Sequence, residues 1–530
     1  MQVFKIIFFI IISTSLKSIC LAEEGSIVLS DGVFIYKREI VKEALAYGQY
    51  NDEIAEKGWG ILDITATTHN MKYSPDQIMY AAGMLEGALT SKRIYQNYEN
   101  LKGFLFDNRP ADIYNRSCDF FAKQEKWLKE NVISGKGDIR WEAVGYMQSQ
   151  LEGLLAGYTL TANNSMSMCQ MHLLNGAGDM LDLFNVFHRP SHNHFKRMSK
   201  KQLRQYNQKH GHCSVLIKVT PGFENMYMGH STWFVYSAML RIYKNYDFQV
   251  FGKEHKNSKM SFSSYPGFLQ SWDDFYILGS EMVILQTTNN IYNTSLYDLV
   301  TPKSLLAWHR VRAANLLASN GYDWGEIIKF HNSGTYNNQY MVVDLKKFTP
   351  EIGFEDGALY VVEQIPGFVE SHDQTNILRE GYWASYNVPF YESIYNMSGY
   401  PAVTKNDPDL SHDLAPRAKI FRRDQGTVVD MESMKKILRY NNYKFDKYSE
   451  GDACNAICCR NDSNYMGCTD SKATDYFLAK SFTTHAINGP TVGGLSDIPP
   501  YKWPQNSSYH EGMPNVWNFT FIDIKPKYFG

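Results

Sequence analysis

The chain reads as an α+β protein, and three observations predict this. Between residues 40 and 160 apolar residues recur at three- and four-residue spacing, the period of helices packed on one face. At Cys213 the pattern switches to Cys213-Ser214-Val215-Leu216-Ile217-Lys218-Val219-Thr220, a strand-like run closed by the turn Pro221-Gly222. Aromatic residues make up 14% of the 530, mostly Tyr and Phe, which suits a β-rich packed core and not a disordered chain.

The first residues predict a cleaved signal peptide over 1–22. Lys5 precedes the apolar run 6–12, and Cys20-Leu21-Ala22 places small residues before Glu23. The apolar run is short for a membrane anchor, and no later stretch reads as one. A secreted or lysosomal lumen location follows, and the end Lys527-Tyr528-Phe529-Gly530 is not a retention signal. Sequons at Asn115, Asn163, Asn293, Asn396, Asn461, Asn506 and Asn518 fit that route as glycosylation candidates.

Residues 23–187 read as a mainly helical fragment, with helices expected from Pro75 into 81–89 and over 141–155. From 188 to 212 periodicity fades into a mixture of Arg, Lys, His, Gln, Asn and Ser, which predicts an exposed, cleavable linker. Its five His (His188, His192, His194, His210, His212) could bind a metal, but such a run more often marks a solvated linker. In the C-terminal fragment 213–530, a helix is expected at 232–243 and strands at 275–285, 340–344 and 358–363. The two fragments are expected to form one globular unit. Net charge is −2 with no basic stripe, which argues against a nucleic-acid partner.

Of eight Cys, Cys20 leaves with the signal peptide, so seven remain in an oxidising compartment. Cys454, Cys458, Cys459 and Cys468 crowd together; four thiolates could hold zinc, but the irregular spacing favours disulfides in a loop-rich segment. Cys118 and Cys169 are candidates for a third pair, which leaves Cys213 as the odd thiol. Cutting the His212–Cys213 bond would give Cys213 a free α-amino group, with a reference pKa of about 7.7–8.0. One residue would then carry both nucleophile and base. The bland alternative is a buried free cysteine that begins a strand. No Gly-x-Ser-x-Gly elbow, His-Glu-x-x-His motif or phosphate-binding Gly-rich loop competes, and no cofactor or metal is expected.

Longer stretches carry a resemblance. They are His212-Cys213-Ser214-Val215-Leu216-Ile217-Lys218, His230-Ser231-Thr232-Trp233 with Tyr236 and Met239-Leu240-Arg241, then 262–267, 273–280, 332–339, 363–367, 382–387 and 416–423. Weaker stretches are 173–183, Gly489-Pro490-Thr491 and Gly512-Met513-Pro514. The chain resembles the phospholipase B-like family of lysosomal or secreted glycoproteins. That resemblance implies a four-layer αββα N-terminal nucleophile hydrolase sandwich of two antiparallel sheets. It also implies self-cleavage into two chains that stay associated. It makes Cys213 the nucleophile, with His230, Thr288, Asn387 and Arg417 around it. Asn387 suits an oxyanion donor, Arg417 suits anion binding or thiolate support, and His230 suits an orienting or core role. Thr287 beside Thr288 leaves the register there open to a one-residue slip. The implied substrate is a phospholipid or other acylated lipid, with an amidase for N-acyl lipids and a non-catalytic lipid-binding glycoprotein as alternatives. Homo-oligomers are compatible with the sequence.

Overall fold

The computed structural model describes residues 22–68, 72–191, 194–209, 212–251, 256–505 and 507–527, so the expected signal peptide up to Leu21 and the Asn506 sequon lie outside them. Where helices were expected near residue 50, the chain instead forms two strands. Ala46–Glu53 and Trp59–Thr67 pair antiparallel across a single helical turn, Ile54–Lys57, which Gly58 ends at φ 81. Trp59–Thr67 is buried on both faces, yet Leu62-Asp63-Ile64-Thr65-Ala66-Thr67 alternates apolar and polar residues, the two-residue period of a strand within a region otherwise read at helical spacing.

These strands belong to an 11-stranded sheet. In spatial order it runs Phe368–Asp373, Leu359–Ile365, Asn338–Asp344, Met282–Thr288, Tyr276–Leu278, Lys259–Ser264, Arg241–Gln249, Trp59–Thr67, Ala46–Glu53, Glu23–Ser30 and Val33–Lys37. Every pairing is antiparallel except Trp59–Thr67 with Arg241–Gln249, which is parallel over nine residue pairs. A second, 7-stranded sheet orders Tyr382–Ser385, His212–Val219, Met226–Val235, Met466–Asp475, Thr484–Asn488 and Ile522–Ile524, with Arg460–Asn461 pairing onto Met466–Asp475. The protein is therefore α+β, with two large and mainly antiparallel sheets.

Alternation along His212–Val219 decides what each residue meets. Val215, Ile217 and Val219 join the largest core cluster with strand Met282–Thr288, whereas Leu216 joins a second cluster with Met434 and Leu438. The first face thus looks towards the other sheet and the second towards helix Met431–Leu438. On the large sheet, helix Pro75–Phe106 packs over Glu23–Ser30, Ala46–Glu53 and Trp59–Thr67. Its start is a capping box: Gln77 N–H donates to Ser74 Oγ at 3.3 Å, and Ser74 N–H donates to Gln77 Oε1 at 3.0 Å. Helix Ile139–Thr161 lies against it at backbone contact. A Cβ on Gly83 would sit 1.9 Å from the Gln150 carbonyl oxygen, and one on Gly157 1.9 Å from that of Met84.

Three further expectations need correction. The linker is not merely exposed: it contains the turn Phe195–Arg197 and the helix Lys200–Lys209. Phe195 and Leu203 are fully buried among Tyr292, Val403 and Tyr400, and Lys200 and Arg204 both bond Asp409. Two apolar anchors among many charges are too sparse to register as a period. The helix expected at 232–243 is the end of strand Met226–Val235, a turn at Tyr236–Ala238, and strand Arg241–Gln249 in the other sheet. Short apolar runs fit either period, and here β-forming Trp233, Phe234 and Val235 decide. The run 275–285 is two strands joined by a turn in which Glu281 takes φ 58.

Disulfides join Cys118 to Cys169, Cys454 to Cys459 and Cys458 to Cys468, so zinc ligation by the cluster is ruled out in favour of disulfides. Asn115, Asn163, Asn396 and Asn518 are exposed; Asn293 and Asn461 are half-buried. No helix among the described residues is long and apolar enough to cross a membrane.

Candidate active site

Cys213 is the free cysteine of the chain among the described residues, and it is buried. It sits opposite Thr232 in the strand pairing, so both side chains share the face directed at the large sheet. Around the thiol is a cleft of about 20 Å³, room for roughly one water, lined by Leu181, Thr232, Trp233, Phe234, Trp272, Asp273 and Thr288 among others. Burial pushes the Cys213 thiol up to about 12, so it is protonated at physiological pH.

The backbone of Cys213 is held from both sides. Its N–H donates to Asn387 Oδ1 at 3.0 Å, and its carbonyl accepts from Arg417 Nη1. Asn387 sits in the left-handed region at φ 67, just after strand Tyr382–Ser385, an uncommon conformation that surrounding contacts must impose. Those contacts are present. Asn387 Nδ2 donates to the Thr288 carbonyl at 2.6 Å, its N–H to Thr287 Oγ1 at 3.4 Å, and its carbonyl accepts from the Tyr400 hydroxyl at 3.0 Å. Arg417, on helix Pro416–Asp424, also donates to Ser214 Oγ at 3.3 Å and to the Tyr386 carbonyl at 2.7 Å, and stacks 4.5 Å from the Trp233 ring. Burial lowers its pKa, and its printed partners are carbonyl and hydroxyl oxygens. The guanidinium therefore brings net positive charge to the Cys213 backbone.

Thr288 lines the Cys213 cleft, whereas Thr287 points the other way to bond Ser385 Oγ at 2.6 Å; both neighbours touch Asn387, by carbonyl and by hydroxyl respectively. His230 is not among the cleft's lining residues. It is fully buried between the sheets, with Nε2 at 2.9 Å from the Gln286 carbonyl and Nδ1 at 3.3 Å from Thr232 Oγ1. Burial, then the Lys472 ammonium, hold its pKa well below the usual value, so it is neutral. Cys213, Asn387, Arg417 and Thr288 thus come together; His230 reaches them only through Thr232.

A buried charge cluster behind the thiol escaped sequence reasoning. Met466–Asp475 pairs with Met226–Val235 so that Asp470 lies opposite Thr232 and Lys472 opposite His230. Lys472 Nζ donates to Thr232 Oγ1 at 2.7 Å, to Asp470 Oδ1 at 2.7 Å and to Asp273. Arg241 bonds Asp273 at 3.0 Å and also Asp470. All four side chains are fully buried. His230, Asp273 and Asp470 converge closely enough to suggest a metal, but an ion there would have to displace the Lys472 ammonium that already bridges both carboxylates. The signal available in the sequence was Asp470 and Lys472 in the middle of a strand, with their partners Asp273 and Arg241 elsewhere in the chain.

Trp233 separates the Cys213 cleft from a second pocket of about 80 Å³ that reaches Asn387 and Arg417. Arg204 and Asn207 of the helix Lys200–Lys209 form part of its wall, so the linker segment lies against the site.

With this geometry in view, comparison with known proteins is specific. The family model described as Phospholipase B matches residues 46–524. Phospholipase B-like 1 of Rattus norvegicus is 51% identical over 501 residues, covering 92% of this chain and 89% of the relative. Phospholipase B of Crotalus adamanteus is 46% identical over 504 residues, covering 93% and 90%. Phospholipase B-like protein G of Dictyostelium discoideum is 36% identical over 521 residues, covering 90% and 86%.

Proposed function

The chain belongs to the phospholipase B family, and from that premise we propose an acyl hydrolase that removes fatty acids from glycerophospholipids with Cys213 as its nucleophile. One observation carries this reading: the free thiol belongs to a residue whose own backbone nitrogen rests on a side-chain acceptor, Asn387 Oδ1. That nitrogen becomes the catalytic base once the chain is cut before it.

Maturation begins when Cys213 Sγ attacks the His212 carbonyl carbon. The His212–Cys213 C–N bond breaks, a thioester forms, and the thiol proton passes to the departing nitrogen. Water then hydrolyses the thioester, leaving a carboxylate on His212 and a free thiol and α-amine on Cys213. In turnover the amine accepts the thiol proton and the thiolate attacks an ester carbonyl of the lipid. The lyso-product leaves with that proton, and water, deprotonated by the same amine, releases the fatty acid. Asn387 Oδ1 orients the amine, and the second N–H of its Nδ2 is available to the developing oxyanion. Arg417 fixes the Cys213 carbonyl and adds positive potential that favours thiolate.

The succession of contacts, helix Pro75–Phe106 on the large sheet, that sheet on the small one, and the small one on helix Met431–Leu438, supports the four-layer arrangement. Three disulfides support a secreted or lysosomal lumen setting. N-terminal sequencing of mature protein tests the reading: two fragments, one starting at Cys213, are expected, and Cys213→Ala should abolish both the cut and phospholipid hydrolysis. A single intact chain with full activity would overturn it. Release of fatty acid from N-acyl amides but not from phospholipid esters would replace it with an amidase.

A further inference from the structure

A larger pocket beside the site is a different place from the Cys213 cleft. It measures about 760 Å³, within the range of roughly 300–1,000 Å³ typical of small-ligand sites. Phe104 forms the partition between the two. Its ring packs at 4.9 Å from Phe234 and 6.0 Å from Trp272, both of which line the Cys213 cleft, while Phe104 itself lines the large pocket.

On the pocket side of that partition stands Arg109. Its guanidinium lies 3.2 Å from the Phe184 ring centroid and 5.7 Å from that of Phe104, and Nε donates to the Phe104 carbonyl at 3.1 Å. No salt bridge to Arg109 is present among the described residues, and burial lowers its pKa with no carboxylate opposing the shift. Nη1 and Nη2 are thus left as a fork for an anion, pinned in place by ring stacking. Tyr465, Trp503 and Tyr509 also line the pocket, together with Asp107, whose carboxylate bonds the Tyr509 hydroxyl. Ring faces and a carboxylate suit a quaternary or primary ammonium. With Asn464, Ser507 and Ser508 also lining it, the pocket is too polar for an acyl chain.

We propose that this pocket binds the zwitterionic headgroup of a glycerophospholipid, with the phosphodiester on Arg109 and the ammonium against Tyr465 and its aromatic neighbours. The proposal rests on the acyl-hydrolase reading and adds to it the headgroup class. An ester seated at Cys213 has its phosphate only a few bonds away and its ammonium beyond that. Arg109 stands beyond Phe104 from the cleft, and Tyr465, Trp503 and Tyr509 line the same pocket as Arg109. Arg109 is then a specificity-determining residue and takes no part in bond breaking.

The test compares phosphatidylcholine with diacylglycerol, which has the same esters and no headgroup, using full-length matured protein. In Arg109→Gln the ratio of kcat/KM for phosphatidylcholine over diacylglycerol should fall about 10- to 100-fold, the worth of a hydrogen bond to a charged group. Arg109→Lys should recover part of it. Tyr465→Leu should narrow the preference for phosphatidylcholine over phosphatidylglycerol. Calorimetric titration with glycerophosphocholine should show binding to wild type and at least tenfold weaker binding to Arg109→Gln. An unchanged ratio, or equal binding by both proteins, overturns the headgroup site while leaving the hydrolase reading intact. Binding lost in Arg109→Gln but without any lipid hydrolysis by wild type supports the site and sinks the hydrolase reading instead.

Discussion

Lys472→Met tests whether the buried cluster behind Cys213 is held by charge balance. Asp273, Asp470, Arg241 and Lys472 are fully buried, two negative and two positive, so the native cluster is neutral. Met fills a similar volume but leaves two carboxylates facing one guanidinium, and Thr232 Oγ1 loses its ammonium partner. Removing one partner from a buried ionic network costs about 3–5 kcal/mol, because the other charge stays desolvated. That is a large share of the roughly 5–15 kcal/mol that holds a typical domain folded. The same substitution removes a positive charge that lowers the Cys213 pKa while leaving Asp273 and Asp470, which raise it. Cutting before Cys213 should therefore also slow. Urea denaturation gives the stability loss, and fragment appearance on denaturing gels gives the maturation rate. The double variant Lys472→Met/Asp470→Asn restores neutrality around Arg241 and Asp273 and should recover most of the stability. A single-variant cost under about 1 kcal/mol, or a double variant no better than the single, would refute the charge-balance argument.

Two further predictions follow from packing and titration. Gly157→Ala should destabilise by about 1–3 kcal/mol or more, since its Cβ would meet the Met84 carbonyl at 1.9 Å; a neutral or stabilising result, as in a solvent-facing helix, would contradict the backbone contact. Burial pushes Asp182 up to about 7, with nearby Asp179 adding to the shift. A raised carboxyl contributes stability that is full below its unfolded value near 4 and lost as pH rises through 7. Asp182→Asn should thus gain stability relative to wild type between pH 5 and pH 8. Comparing the two proteins removes buried His230 and His309, whose lowered pKa values act in the opposite direction. A difference between the two melting temperatures that is the same at both pH values would refute the assignment.

What the sequence made legible was local. The start of helix Pro75–Phe106 at Pro75, the strand opening at Cys213 and the odd cysteine all depend on neighbours a few residues apart. Asn387 and Arg417 became site residues by resemblance, because nothing in 382–387 or 416–423 announces a left-handed Asn or a guanidinium bonded to a carbonyl some two hundred positions earlier. Lys472 was invisible for the same reason: it meets Thr232 across 240 residues, through a strand register that only the assembled sheet defines. The strands before residue 68 and the linker helix were misjudged on composition. The six-residue alternation from Leu62 to Thr67 was too short to stand out against the helical spacing around it, and in the linker two buried anchors were outweighed by charges.

The parallel pairing of Trp59–Thr67 with Arg241–Gln249 gives the proposed cut between 212 and 213 a consequence for assembly. Four strands of the large sheet precede that point and seven follow it, and the seam runs through the middle of the sheet. The halves would never have met as free partners, having been threaded together while one chain tethered them at high effective concentration. Once separated by full unfolding, each would carry an unpaired mid-sheet edge into a bimolecular search, where edge-to-edge association with the wrong copy competes. Cut in that way, the molecule would keep its form by history: it could be assembled once, before the cut, and its working life would be set by how slowly that seam opens.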